Sequence, residues 1–298
     1  MVVLYGLPED PPIMKVYEQL LIDSADVLFL DQRNVQDYSF DLSVSARFSG
    51  EISYKGKLLI NIKDVTGLYF RPYDFTQFED FGTDITTDEQ LKGATFFEYL
   101  LMTWAELFQG AIINRPSAMH SNHSKPFQAE LIRQSDLLVP ETLLTTDPKA
   151  VLEFHKRHGR IIYKSISSQR SIVAEFETED LANVTSCITQ FQQFINGTDY
   201  RIHVIGNKVF PAKIICEEKD YRYANNTEIE EAELPFDLQE KCIALTHHLG
   251  LNFSGIDLRR TENDDWFCFE VNPSPGYSYY QNYTGQPIAE AVAAFLLQ

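Results

Sequence analysis

The stretch FSGIDLRRTENDDWFCFEVNPSPG, residues 253–276, decides the reading of the fold. FSGIDLRR and WFCFEVN read as strands, and Thr261-Glu262-Asn263-Asp264-Asp265 between them is a polar turn. A hairpin sets Asp257 beside Glu270 and Asn272. Glu270 and Asn272 are two residues apart and so share a strand face. Val271, Phe269 and Phe267 are expected on the buried side. Three oxygen-bearing side chains on one face suit a hard cation. Magnesium takes one or two carboxylates and completes its shell with water and phosphate oxygens. The same spacing also suits a hairpin with one solvated polar face. Pro273 and Pro275 end the strand and open a loop.

Upstream of this hairpin the chain remains strand-rich, with FQQFI (191–195), DYRIHVI (199–205) and KVFPAKII (208–215). A helix is expected near Pro235–His248 and a closing one over Gln286–Leu297. Arg201 and Lys213 lie in strands, where a partly buried cation calls for an anionic partner. Further upstream, helices are expected over Lys125–Gln134 and Pro148–His158, and strands over Arg160–Lys164 and Ile172–Phe176. Lys164 ends its strand beside the small-residue loop Ser165–Ser171. A lysine placed there can reach a phosphate while the loop's N–H groups and hydroxyls close over it. Lys125 opens a helix, and helix N-termini favour phosphate. Each lysine, taken alone, reads first as a solvated surface residue.

Residues 1–116 read as a unit of their own, with VVLYGL, VLFLDQR, GLYFRP and AIIN as strands. Helices are expected over Ile13–Ser24 and Thr95–Phe108, and a hairpin turns at Lys55-Gly56-Lys57. Strand–helix–strand alternation of this kind implies a mostly parallel sheet. Ser117–Lys125 is polar, without periodicity, and reads as a loop. Arg71 and Arg115 are candidates for binding a carboxylate, or for surface ion pairs. None of the histidines forms a convincing triad, so no protein nucleophile is expected.

The chain has 298 residues, 44% of them hydrophobic, the composition of an ordinary soluble protein. No apolar run approaches the ~20 residues that a membrane helix needs. Met1–Pro8 lacks a basic leader and reads as a first strand rather than a signal peptide. The four cysteines are widely spaced and without a CxxC pair, which suggests a reducing cytoplasm. A formal charge of -18 repels polyphosphate backbones and argues against nucleic acid as a partner. It also means that local cations must hold any bound nucleotide.

Taken in order, SKPFQAELIR, PETLLTTDP, IIYKSI, FQQFINGTDYRIHVIG, PAKI, GIDLR and FEVNPSPGYSYY resemble the ATP-grasp ligases, over about Asn114–Leu297. Within them the sequence is most similar to the RimK-like branch, which includes the ribosomal-protein glutamate ligases and the graspetide ligases. The resemblance implies an α/β (α+β) ATP-grasp fold in three parts. These are an N-terminal α/β substrate domain (1–116), a central subdomain (117–192) and a C-terminal subdomain with the metal site (193–298), the last two sandwiching ATP. Lys125 and Lys164 look like the lysines on the nucleotide phosphates, and Ser165–Ser171, with Ser165 and Ser168, like the phosphate-covering loop. Gln192, Gln193, Phe194 and Ile195 resemble the segment bordering adenine, and Asp199 the ribose ligand. Asp257, Glu270 and Asn272 match the magnesium triad; Arg201 and Lys213 resemble the catalytic cations near the γ-phosphate. The implied cofactors are ATP and Mg2+, two ions, with Mn2+ as a substitute.

The implied activity is carboxylate–amine or carboxylate–hydroxyl ligation through an acyl phosphate, on a small molecule or peptide, in a chain compatible with a homo-oligomer. A nucleotide-binding regulatory module and an ATP-dependent phosphotransferase are the alternatives. Ser165–Ser171 lacks the glycines common in the family, and Gln192 and Gln193 stand where an acidic residue is common.

Overall fold

A computed structural model describes residues 1–44, 48–74, 87–164, 174–185, 187–215 and 228–298. The expected parallel sheet opens the chain. Its strands are β1 (Val2–Gly6), β2 (Val27–Asp31), β6 (Gly67–Arg71) and β7 (Ala111–Ile113), in the order β2-β1-β6-β7, with every pair parallel. α1 (Pro11–Ile22) makes the first crossover, with prolines in its first turn, where no N–H is missed. Between β2 and β6 an antiparallel meander is inserted: β3 (Tyr38–Val44), β4 (Phe48–Tyr54) and β5 (Lys57–Asn61). Its second turn is the expected one. Tyr54 pairs with Lys57, and Lys55 and Gly56 both take positive φ, as a two-residue hairpin loop requires.

α2 (Asp88–Leu107) begins two turns before the expected Thr95. The Thr87 hydroxyl accepts from the N–H of Gln90, whose side chain reaches back to Thr87, a capping box that starts the helix. One face of α2 buries Phe97, Leu101 and Trp104 with Tyr5, Phe40 and Phe70 in the first core. Glu98 enters beside that core. Its carboxylate accepts from the Tyr5 hydroxyl at 3.1 Å and the Gln32 amide at 2.6 Å. Burial, the largest cause, pushes its pKa up to about 7. The folded chain therefore keeps a proton that the unfolded chain has released. Stability falls as pH rises from about 4.5 to about 7 and is level above. Glu98→Gln is expected to remove this slope. Relative to wild type the variant should gain stability between pH 5 and 7 in denaturant titrations. Parallel curves for the two proteins would rule the effect out.

The central sheet contains β8 (Thr142–Thr145), β9 (Ile161–Lys164), β10 (Ala174–Glu175) and β11 (Thr189–Gln193), in the order β10-β9-β11-β8. α5 (Pro148–His158) covers it with Val151 and Phe154. The short α6 (Leu181–Val184) precedes β11. Before this sheet, the segment expected to be a loop holds α3 (Pro116–Met119) and a 3-10 turn, His120–His123. α4 (Lys125–Arg133) follows.

The last sheet contains β12 (Thr198–Ile205), β13 (Lys208–Ile215), β14 (Glu228–Glu231), β15 (Phe253–Arg260) and β16 (Trp266–Asn272). Their order is β14-β13-β12-β15-β16, and every pair is antiparallel. α7 (Phe236–His248) packs Leu238, Cys242 and Leu245 against one face. α8 (Ser278–Thr284) and α9 (Ile288–Leu296) close the chain.

Burial crosses the boundaries drawn from sequence in two places. α9 buries Ile288, Val292 and Leu296 in one core with Val2, Leu4 and Tyr69 of the first sheet. Gly67 permits that approach, because a Cβ there would meet the Leu296 carbonyl oxygen at 2.4 Å. α4 contributes Ile132 to the core beneath β12, β15 and β16, not to the central sheet. Contacts between segments this remote leave no local mark in sequence.

Candidate active site

The α7 face of the last sheet is apolar. Tyr200, Ile202 and Val204 of β12, Ile256 and Leu258 of β15, and Cys268 and Val271 of β16 are all buried in one core. The residues between them point the other way and include four of the expected site residues. In one rung Arg201 pairs with Asp257, and Asp257 with Glu270. In the next rung His203 pairs with Gly255, and Gly255 with Asn272. The three expected cation ligands therefore stand on adjacent rungs of one face.

Strict alternation fails at one position. The sequence puts Phe267, Phe269 and Val271 on the buried side, whereas the structure buries Cys268 and Val271. A bulge is the cause. Asp257 pairs with Glu270 and Leu258 with Cys268, so Phe269 is the extra residue and parity flips across it. Phe269 is left half-buried, with the Arg259 guanidinium 5.2 Å from its ring centre.

Arg201 is buried and donates to Asp257 Oδ1 at 2.5 Å. Its side chain crosses Gly255, where a Cβ would lie 2.7 Å from the guanidinium and 2.7 Å from Pro275. Gly255 is needed for this passage rather than for a turn. His203 next to it is fully buried against Tyr280 and Phe253. Burial, then the Arg201 charge, holds the His203 pKa well below its usual value, so the imidazole stays neutral.

Lys213 does not join this face. It pairs with Tyr200, while Arg201 pairs with Ala212, so Lys213 shares the α7 side with Tyr200 and stands opposite Glu230 of β14. Its sequence parity with Pro211 is right, but parity within one strand does not say which face that strand's neighbours use.

The other expected residues lie around the sheet's edge and on the central sheet. Lys164 Nζ donates to Gln192 Oε1 at 3.2 Å, and the Gln192 amide reaches Thr142 Oγ1 at 3.4 Å. The uncharged Gln192 thus steers the lysine without neutralising it. The N–H groups of Gln193 and Phe194 bond the carbonyls of Glu141 and Arg160, so both are used inside the central subdomain. The Arg160 guanidinium stacks 3.8 Å from the Phe194 ring centre. Asp199 is gripped by Arg259, which donates at 2.6 and 2.8 Å and also bonds the Ile195 carbonyl at 2.8 Å. Arg259 is absent from the sequence reading. Its signal is the spacing Asp257-x-Arg259, which puts both on one strand face. Ser165 and Ser168 lie outside the described residues. Arg115 donates to the carbonyls of Ala105, Glu106 and Phe108 and so caps the C-terminus of α2.

Lys125 is the first residue of α4, and α4 is fixed to the cation face by Gln128. This buried amide donates to the Val271 carbonyl at 2.8 Å and accepts from the Val271 N–H at 3.0 Å, as an extra ladder rung on β16. Val271 lies between Glu270 and Asn272, so one side chain ties the lysine's helix to the strand that carries both expected ligands.

The donor set, two carboxylates and an amide oxygen, fits a hard cation, which completes its shell with phosphate oxygens and water. Among the described residues, no three His, Cys, Asp or Glu side chains gather into a group that could hold a metal ion, and the expected set has two carboxylates with Asn272 as its third member. No described helix is long and apolar enough to cross a membrane.

Comparison with known proteins places the chain in a family and a fold. Residues 124–296 match the RimK-like ATP-grasp domain. A probable alpha-L-glutamate ligase of Vibrio atlanticus (strain LGP32) is 26% identical over 220 residues, 68% of this chain and 72% of that protein. The macrocyclase MdnC of Microcystis aeruginosa MRC, solved with the precursor peptide MdnA, superposes with a TM-score of 0.82. Its identity is 21%, with 100% of this chain and 99% of that one covered. The ATP-grasp ligase PsnB, solved with a minimal precursor, Mg and ADP, gives a TM-score of 0.80 at 23% identity, covering 99% and 96%. Likeness in fold thus spans the N-terminal unit as well as the matched domain.

Proposed function

The chain belongs to the RimK-like ATP-grasp family, and from that premise we propose that it ligates a carboxylate to an amine or hydroxyl, converting ATP to ADP and phosphate through an acyl phosphate. The observation that carries this reading is the pair of rungs holding Arg201, Asp257, Glu270 and Asn272 on one face. Acyl-phosphate chemistry needs charge neutralised around a transferring phosphoryl group, and it needs no protein nucleophile.

Asp257, Glu270 and Asn272 hold magnesium, two ions, with Mn2+ able to substitute. When bound, the metal offsets phosphate charge and orients the transfer. Arg201, next to the carboxylates, faces the γ-phosphate and stabilises charge as the substrate carboxylate attacks. Lys164, steered by Gln192, and Lys125, at a helix N-terminus, hold the other phosphates, with Ser165 and Ser168 covering them. Gln192, Gln193, Phe194 and Ile195 border adenine. Asp199 serves the ribose with Arg259 as its orienting partner. Lys213, on the far face, has no part in this set.

The substrate is an amino acid or peptide, the class that the names of the similar proteins share. The dispersed cysteines suit a reducing cytoplasm.

The test is magnesium-dependent turnover of ATP with pooled amino acids and peptides. ADP and free phosphate, released only with a substrate pool and together with a new amide or ester, are the expected products. AMP would replace this chemistry with adenylation. A phosphorylated product in place of the new bond would make the protein a phosphotransferase. Nucleotide bound but not turned over with any pool would favour a regulatory module.

A further inference from the structure

Asn272 is the last residue of the edge strand β16, so beyond it no strand pairing fixes the chain. The N-terminal unit grips the loop that follows instead. Arg71, at the end of β6, sends Nη1 to Ser274 Oγ at 2.8 Å and to the Pro275 carbonyl at 3.2 Å. Its Nε donates to Asp10 Oδ2 at 2.6 Å. Both side chains of this pair are nearly buried, at 10% and 4% exposure, so Asp10 matches the Arg71 charge and leaves little of it for a substrate carboxylate. Asp10 occupies the N-cap position of α1 yet makes no cap bond. The Tyr73 hydroxyl donates to its other oxygen at 3.3 Å. A local helix-stabilising bond is forgone for a contact with Arg71.

The relay continues from Ser274. Its N–H donates to Asn272 Oδ1 at 2.8 Å. An N–H selects an amide oxygen over an amide nitrogen, so this bond fixes which way the Asn272 amide lies. A carbonyl oxygen has two lone pairs, and the second stays available to a cation.

We propose that Arg71 is a positioning residue, held by Asp10, that orients the Asn272 amide oxygen for the metal through Ser274 and so ties cation binding to the N-terminal unit. This rests on the reading of Asn272 as a metal ligand. A lysine cannot replace Arg71, because one ammonium lacks the planar fork that serves Asp10 with one nitrogen and the loop with another.

The test is Mn2+ binding followed by electron paramagnetic resonance in the presence of ADP, for wild type, Arg71→Lys and Ser274→Ala. Ser274→Ala keeps the backbone N–H and the Asp10–Arg71 pair, and it guards against misfolding of the arginine variant. Partners behind a ligand typically carry 10- to 100-fold in metal affinity. Arg71→Lys is expected to weaken Mn2+ about 10-fold or more, and Ser274→Ala several-fold. The double variant should be no weaker than Arg71→Lys alone, because both act through one relay. ADP affinity in EDTA should stay at the wild-type level. Mn2+ affinities within twofold of wild type, whatever the melting temperatures, would overturn the proposal and leave Arg71 as a strut between units. A wild-type protein with no ADP-dependent Mn2+ site would instead overturn the functional reading, and the proposal with it.

Discussion

Asn114→Ala is expected to destabilise the protein by about 4 kcal/mol or more and to lower its melting temperature by roughly 10 °C. The residue is buried and sits just past β7. Its amide nitrogen donates to the carbonyls of Phe253 and Pro273, each at 2.7 Å. Its oxygen accepts from the N–H groups of Asn252 at 2.8 Å and Phe253 at 3.0 Å. Asn252 returns a bond to the Ile112 carbonyl at 2.9 Å. Truncation strands four backbone groups at the junction of the N-terminal unit and the last sheet. Each buried group left without a partner costs about 1–3 kcal/mol. Asn114→Asp keeps the two acceptor contacts but turns a buried carboxylate oxygen toward two carbonyl oxygens, so it should be at least as destabilised as alanine. Urea titration of the three proteins ranks them. A loss under about 1 kcal/mol for alanine would mean that water replaces the amide. Because Pro273 opens the loop after Asn272, the same substitution should also loosen the cation face.

Such a junction is what a sequence conceals. Residues that answer to local rules were legible. The Pro148–His158 helix, the turn at Lys55-Gly56 and the strands 253–260 and 266–272 come out as read, because prolines, a positive-φ pair and apolar runs act over a few residues. The start of α2 was equally local, since Thr87 and Gln90 form the capping box there, but apolar periodicity outweighed it in the reading. Short strands such as β8 and β14 carry too few residues for a periodic signal. The site divides in the same way. Glu270 and Asn272 share a face by alternation alone, but Asp257 stands across from Glu270 only because the bulge at Phe269 shifts the register; a regular hairpin would set it opposite Phe269. The bulge at Phe269, the face of Lys213 and the Arg259–Asp199 pair depend on register between strands, which single-strand parity does not contain. Arg71 and Arg115 are the clearest case. Both read as carboxylate binders or surface ion pairs, yet Arg71 bonds Asp10 and a loop of the last sheet's unit, and Arg115 bonds the end of the helix just completed.

The two carboxylates proposed as ligands should themselves separate function from stability. Glu270→Gln is expected to lower ATP turnover about 10^3-fold, ~4 kcal/mol in barrier, with the melting temperature unchanged or slightly raised. Among the described residues no side chain bonds or ion-pairs with the Glu270 carboxylate, and the register sets it directly across from Asp257, a like charge. Removing that charge leaves no folded-state partner stranded and relieves repulsion between the two strands. Asp257→Asn should behave differently. Arg201 donates to Asp257 from a buried position, and taking away that carboxylate weakens the support of a buried guanidinium. The cost should be about 3 kcal/mol, in addition to the lost turnover. Paired measurements of ADP release and melting temperature for both variants decide the matter. Equal destabilisation by the two substitutions would mean that the Arg201–Asp257 pair contributes nothing special to stability. Turnover of Glu270→Gln within tenfold of wild type would remove Glu270 from the cation site. The expected pattern, activity lost in both and stability lost only at Asp257, follows from one arrangement. Glu270 is held ready by the backbone alone, through Gln128 on Val271, whereas Asp257 is held by a charge that a phosphate would compete for.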